Sequence, residues 1–197
     1  MDLVSRAQAI ILKPKEEWVK IKGEPAPVTQ LFTSYAAVLA LIPAIAQFIG
    51  YALIGTRVLT FGVIRMNIGS ALLRMVLYYI FALASVYVFG LVINALAPSF
   101  GSKQNAENAM KLAVYSMTPA WVGGIFYAIP ALWILATLAS LYGIYILYLG
   151  FATPMMDTAK DKVVGYLVVS FIVMIVLTVV VGLILSALFV VGSVSGL

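Results

Sequence analysis

A chain of 197 residues with no histidine and no cysteine can do chemistry only through carboxylates, amines, guanidiniums and hydroxyls. A His/Cys metal site, a thiol nucleophile and a Ser-His-Asp triad are all excluded. The seven carboxylates, Asp2, Glu16, Glu17, Glu24, Glu107, Asp157 and Asp161, fall outside the long apolar runs, in expected tails and loops. No pair of them therefore stands deep in an apolar environment, where a protease dyad or a proton relay would need it. Asp157 and Asp161, four apart in "MMDTAKDK", have a spacing that would suit a divalent ion at a surface, but the interleaved Lys160 and Lys162 favour a solvated loop with local ion pairs. No Gly-rich phosphate loop precedes a helix and no GxSxG is present. No catalytic, cofactor-binding or metal residue is assigned, and the expectation is a protein that is not an enzyme and carries no cofactor.

The remaining residues of interest are polar groups and helix breakers set in apolar sequence. Gln47, Arg74 and Asn94 are the candidate polar groups at membrane depth, with Arg74 close enough to a helix end to snorkel. Pro43 interrupts one run. "YSMTPAWVGGIF", residues 115–126, holds Tyr115, Pro119, Gly123 and Gly124. Pro119 deprives the carbonyl of Tyr115 of its helical partner, a loss that Ser116 and Thr118 can compensate locally. The glycines let another helix approach closely, and Ala136, Ser140, Ala139, Gly143, Gly182 and Ser186 give similar small-residue spacings that serve contacts within one chain or between copies in a homo-oligomer. Tyr142, Tyr145 and Tyr148 recur every third residue. Their hydroxyls need partners on neighbouring helices or a place at the interface.

These residues sit in a membrane protein. Apolar residues make up 64% of the chain and charged ones 10%, against about half and a quarter in soluble domains. Runs long enough to cross a core of roughly 30 Å must be helical, because lipid cannot satisfy free backbone groups. The run from residue 112 to 156 is about twice the length of one crossing, so it turns back, and Pro130 in "YAIPA" is the expected corner. The reading is all-α, a polytopic domain over 31–197 with five crossings at about 31–54, 71–97, 112–128, 131–152 and 163–191. Lys103, Lys111, Lys160 and Lys162 share a side with the basic N-terminal segment, against Arg57 and Arg65 opposite. The N-terminus is thus expected in the cytoplasm and the C-terminus across the membrane, with the net charge of +5 facing anionic headgroups rather than nucleic acid.

Residues 1–30 lack the short apolar core of a cleavable signal peptide. Leu3, Val4, Ala7, Ile10 and Ile11 recur at helical spacing, and "PKEEWVKIKGEP" adds an apolar group among charges. The segment is expected to lie on the membrane interface with Trp18 in the headgroup boundary. Pro14, Trp18, Val19 and Ile21 form the candidate interfacial surface, serving either as an anchor for the first crossing or as a dock for a cytoplasmic or membrane protein.

The order "LKPKEEWVKIKGEP", then "AVYSMTPAWVGGIF", then "LWILATLASLYGIYILYLG" resembles the Yip1 family, including its compact prokaryotic members, over nearly the whole chain. The resemblance implies five membrane helices with a cytoplasmic N-terminus. It also implies trafficking or membrane homeostasis and complexes with other membrane proteins, in a prokaryotic inner membrane for a compact member. Eukaryotic relatives bind Rab-type GTPases through a longer cytoplasmic domain, which is absent from the 30 residues here. The expected function is a non-enzymatic membrane protein that organises membrane or protein partners; the alternative is a small-solute or ion conduit using the kinks at Pro43 and Pro119, formed by an oligomer.

Overall fold

The computed structural model describes residues 2–58, 62–153 and 155–194; the last three residues of the expected membrane domain, 195–197, lie outside the described residues, as does the side chain of Arg57.

Two short helices open the chain. Asp2 caps α1 (Leu3–Leu12), its carboxylate accepting from the Ser5 N–H at 2.9 Å and so satisfying an otherwise free donor. Lys13 leaves helical geometry (φ −136°, ψ 53°) and Pro14 restarts the chain as the first residue of α2 (Pro14–Gly23), where its missing N–H costs nothing. Glu16 and Glu17 in the first turn of α2 and Lys20 and Lys22 in its last complement the helix dipole.

The first long helix runs without interruption over Val28–Ile54, comprising α3 (Val28–Leu31), a π-helical turn, α4 (Ala37–Phe48) around Pro43 and a second π-helical stretch. It starts three residues before the expected 31. Gly55, at φ 82°, turns the chain into an antiparallel hairpin of β1 (Thr56–Val58) and β2 (Gly62–Ile64), with Arg57 opposite Val63; a plain loop was expected there. Asn67 caps α5 (Ile68–Leu96), which continues as a 3-10 turn to Phe100.

The third apolar run is not one helix. It is α6 (Ala106–Ser116), a break at Met117, α7 (Thr118–Gly123) and a 3-10 stretch Gly124–Ala128, so it begins earlier than 112. Pro119 acts as a first-turn residue of α7, rather than as a mid-helix kink. Ile129 is extended (φ −114°, ψ 105°) before Pro130, the geometry a proline imposes on its predecessor, and α8 (Trp133–Ala152) runs back. The last helix is α9 (Val163–Val194). Among the described residues, four helices, Val28–Ile54, Ile68–Phe100, Pro130–Ala152 and Val163–Ile184, are long and apolar enough to cross a membrane.

Burial is concentrated at one end. Val86, Phe89 and Ile93 near the C-terminus of α5, Ala109 to Tyr115 of α6, Ile146 to Phe151 of α8 and Val163 and Tyr166 of α9 enclose a core with Ile10, Trp18 and Ile21. Away from this head the helices expose apolar faces, such as Ile68, Leu72 and Val76 of α5 and Leu138 and Leu141 of α8. Beyond Val163, Tyr166 and Ser170 the described side chains of α9 are largely uncovered by protein, the condition of a helix solvated by lipid. In that half, contact relies on missing side chains. A methyl at Gly124 would lie 2.5 Å from Cβ of Pro43, whereas one at Gly182 would meet nothing.

A matched pair tests this packing. Gly124→Val should lower stability by about 1–3 kcal/mol, as overpacking does, while Gly182→Val should stay within about 0.5 kcal/mol of wild type; thermal unfolding in detergent reads both. Equal melting temperatures for the two variants would refute the close approach of the 3-10 stretch Gly124–Ala128 to Pro43.

Candidate functional site

The buried faces of the N-terminal helices pack against protein, into the head. Residues 14, 17, 18 and 21 of α2 are its buried positions, a helical stripe that faces α8. Trp18 is 1% exposed, its Nε1–H donating to the carbonyl of Ile146 at 3.0 Å, and its ring meets Tyr115 edge-on at 6.2 Å. Ile21 is equally enclosed and Pro14 is buried, leaving Val19, 65% exposed, as the accessible member of the expected interfacial group. The correction has a simple cause: the apolar stripe finds a better partner in the ends of α6 and α8, where Gly150 leaves room for the indole, than in headgroups.

Two charged residues lie on those buried stripes. Arg6 of α1 and Glu17 of α2 are 5% and 1% exposed, and Arg6 Nη1 donates to Glu17 Oε1 at 2.5 Å. Glu17 takes a second cation, Lys20, at 3.1 Å, and the other arm of Arg6 reaches Glu24. The guanidinium also stands 5.9 Å above the ring of Tyr115, a cation–π contact. Glu17 was expected in a solvated tail; its place on the stripe is the sequence signal that could have revealed it.

The linker that follows is clamped from α6. Lys111, 2% exposed, donates to the carbonyl of Glu24 at 2.6 Å and pairs with Glu107 at 2.8 Å. Glu107 also accepts from the Ala26 N–H at 2.8 Å. The Lys111 ammonium first, and that N–H second, hold the Glu107 carboxyl below the usual carboxylate range. Beneath the linker the Tyr35 hydroxyl meets Thr118 Oγ1 at 2.9 Å, and Thr118 donates in turn to the carbonyl of Tyr115 at 2.8 Å. Thr118 thereby replaces the donor that Pro119 lacks. Between α1, this linker and the start of the first long helix lies a cavity of about 360 Å³, lined by Asp2, Arg6, Glu24, Gln30, Tyr35 and Tyr115 among others.

The other singled-out residues are dispersed. Gly123 packs against Ala139, Gly124 against Pro43 and Gly143 against the carbonyl of Ser116. Tyr142 donates to the carbonyl of Ile11 at 2.9 Å, so its partner is the N-terminal helix rather than another crossing. Tyr145 is 44% exposed and stands 5.6 Å from the Tyr142 ring. Gln47 lies beside the hydroxyl of Tyr78. Arg74 sits over the ring of Tyr51 at 5.0 Å, a partner not foreseen for a snorkelling arginine. The backbone carbonyl of Asn94 accepts from the Gln104 side-chain amide at 3.3 Å, while the Asn94 amide oxygen is buried without a hydrogen bond. Neither the lysine pairings at Asp157, 3.8 Å from Lys22 and 3.7 Å from Lys103, nor the Ser102–Thr158 hydroxyl contact at 2.8 Å was legible beforehand. They tie the loop after α8 to the same head.

The Yip1 domain family model matches residues 9–194. The chain is 29% identical to the inner membrane protein YohC of Escherichia coli strain K12 over 150 residues, 75% of this chain and 77% of that protein, and equally similar to the YohC protein of Escherichia coli O6:H1 strain CFT073. No solved structure matches it.

The ion pair makes a signed prediction. Arg6→Ala leaves the buried Glu17 with the exposed Lys20 as its remaining cation and should cost about 3 kcal/mol, the low end for a broken buried pair, whereas replacing both partners, Arg6→Met with Glu17→Leu, should recover most of it. Thermal unfolding in detergent checks this, and a double variant as unstable as Arg6→Ala would show that the pair is not the source of the loss.

Proposed function

The chain belongs to the Yip1 domain family, and from that premise we propose that this integral membrane protein is non-enzymatic and organises membrane or protein partners, in the manner of a trafficking or membrane-homeostasis factor. The observation that carries the reading is how the ionic groups are used. Arg6, Glu17, Glu24, Glu107 and Lys111 are all engaged in docking the N-terminal helices to the head, and such mutually satisfied groups are poor acids, bases or nucleophiles. What the head offers outward is Val19 and the lysines around it.

Five crossings, with the head in the cytoplasm and the C-terminus opposite, fit the geometry best. Lys22, before the first crossing, and Lys103, after the second, both approach Asp157 beyond α8. The chain between Lys103 and Asp157 therefore leaves the head and returns to it, which supports reading residues 112–128 as a crossing like α8. Its breaks are tolerable because neighbours enclose them. The basic head is then set against anionic headgroups of a prokaryotic inner membrane. The conduit reading is weakened by the contact of Gly124 with Pro43, which closes the two expected kinks onto each other.

Two measurements test this. The chain has no native cysteine, so single-cysteine variants report topology directly: Lys22→Cys should react with an impermeant maleimide only from the cytoplasmic side and Ile129→Cys only from the other. Reaction of both from one side would remove the fifth crossing. For function, a photoreactive residue at Val19 in native membranes should capture a defined protein that one at buried Trp18 does not. Capture of lipid and further copies of the chain alone, together with solute flux in reconstituted vesicles, would replace the organising role with conduction.

A further inference from the structure

The turn between α1 and α2 stands against the membrane-facing side of α8, and the two enclose a groove of about 300 Å³ lined by Leu12, Lys13, Pro14, Lys15, Tyr142 and Tyr145, with Glu16 at its edge. Its walls have two characters. Lys13 and Lys15 are exposed at the mouth, and with Glu16 they leave one net positive charge on this turn. The opposite wall is aromatic and continues into apolar surface. Tyr145, Leu141, Leu138 and Ile134 are 44%, 54%, 56% and 53% exposed, and their spacing of four, three and four puts them on a single face of α8.

We propose that this groove is a binding site for an anionic phospholipid, with the phosphate at Lys13 and Lys15 and an acyl chain along the α8 stripe. The inference deepens the reading that the basic head faces anionic headgroups, and rests on it. The height of the groove points to this ligand. It lies at the transition between two parts of α8, the head part where Ile146, Leu147 and Leu149 are buried and the exposed apolar part below Tyr145. At such a boundary lysine stems lie along apolar surface with their ammonium groups among phosphates, and tyrosine hydroxyls sit at headgroup level. The Tyr142 hydroxyl is occupied by the carbonyl of Ile11, which fixes the turn to α8 and keeps the groove formed whether or not a lipid is present. A soluble anion would use the lysines alone; the stripe has a use only for a ligand with a hydrocarbon chain.

Leu12, which lines the groove and is 76% exposed, gives a local reporter. A bimane on Leu12→Cys in phosphatidylcholine vesicles should be quenched at least twofold more by brominated phosphatidylglycerol than by brominated phosphatidylcholine at equal mole fraction. The ratio should fall to one with Lys13→Gln and Lys15→Gln together and rise with Glu16→Gln, all three being exposed positions whose change leaves the fold intact. A bimane on Val19→Cys should show a smaller preference than the one at Leu12. Millimolar glycerol phosphate should leave the ratio unchanged; its abolition by that soluble anion would assign the lysines to free phosphate esters and overturn the lipid site. Equal quenching by the two lipids at Leu12→Cys would also overturn it. Spin-labelled phosphatidylglycerol then separates the two levels: its enrichment around the whole protein would leave the anionic orientation standing without the site, and no enrichment would remove both.

Discussion

The pairing of Arg6 with Glu17 is the interaction on which the head depends. Neither charge can leave water alone without a penalty of several kcal/mol, so α1 and α2 can bury their stripes only together, in the one register that joins the two groups. The constraint then spreads. Arg6 extends to Glu24, whose backbone carbonyl is held by Lys111, whose ammonium is shared with Glu107, which in turn holds the Ala26 N–H. A chain of charge-assisted bonds thus runs from the first helix through the linker to α6, and it sets the angle at which the first long helix leaves the head. Such a network contributes less to net stability than its bond count suggests. Its effect is on uniqueness, since any other docking of the two helices would leave a buried charge without a partner.

The two ends of the molecule solve different physical problems. With the head outside the hydrocarbon core, as proposed, water is its competing solvent, and burying Trp18, Ile21 and Phe151 there is favourable in itself. Between helices in lipid that driving force is absent, because a hydrocarbon chain is as apolar as leucine, and association relies on close van der Waals fit. The structure follows this division. Large side chains fill the core at the head, while the contacts farther along the helices run through Gly123 on Ala139 and Gly124 on Pro43, and most of α9 is left to lipid. The broken helix Ala106–Ala128 bridges both regimes. Its α6 part is buried by protein from Ala109 to Ser116, and its α7 part is short, has Pro119 in its first turn and packs through Gly123.

Much of this was legible in the sequence, and the exceptions share one cause. Apolar run lengths identified a helical membrane chain, and Pro130 located the turn at Ile129, because these depend on local geometry and on the solvent. The apolar face of α1 was legible at Ala7 and Ile10, but Val4, expected on it, is 59% exposed and Arg6, expected off it, is buried. Periodicity, however, reports that a face is buried and not what buries it, so Trp18 and Ile21 were assigned to headgroups when they meet protein. Arg6 and Glu17 carried the missing information. A charge on an apolar stripe is tolerable at a wet interface only if it can snorkel, and glutamate is too short to do so readily; its presence there points to a protein partner. The β1–β2 hairpin and the lysines around Asp157 depend on contacts distant in sequence or on a short turn, and no run length or period encodes them.

The same accounting bears on what the molecule can do. Its buried ionic groups are committed to one another, and the two proline-bearing segments that might have opened a path through the bundle meet face to face. What remains available is the outer surface: lysines at the head, the aromatic and aliphatic face of α8 and the long apolar flank of α9. On the proposed reading, a protein built in this way acts through what it touches rather than through what passes inside it. Its specificity then has to lie where the two solvents meet, because that is where exposed charge and exposed apolar surface stand side by side on rigid elements. The turn at Lys13 to Lys15, fixed to α8 through Tyr142, is such a place, and its rigidity follows from the ion pair that seats both N-terminal helices.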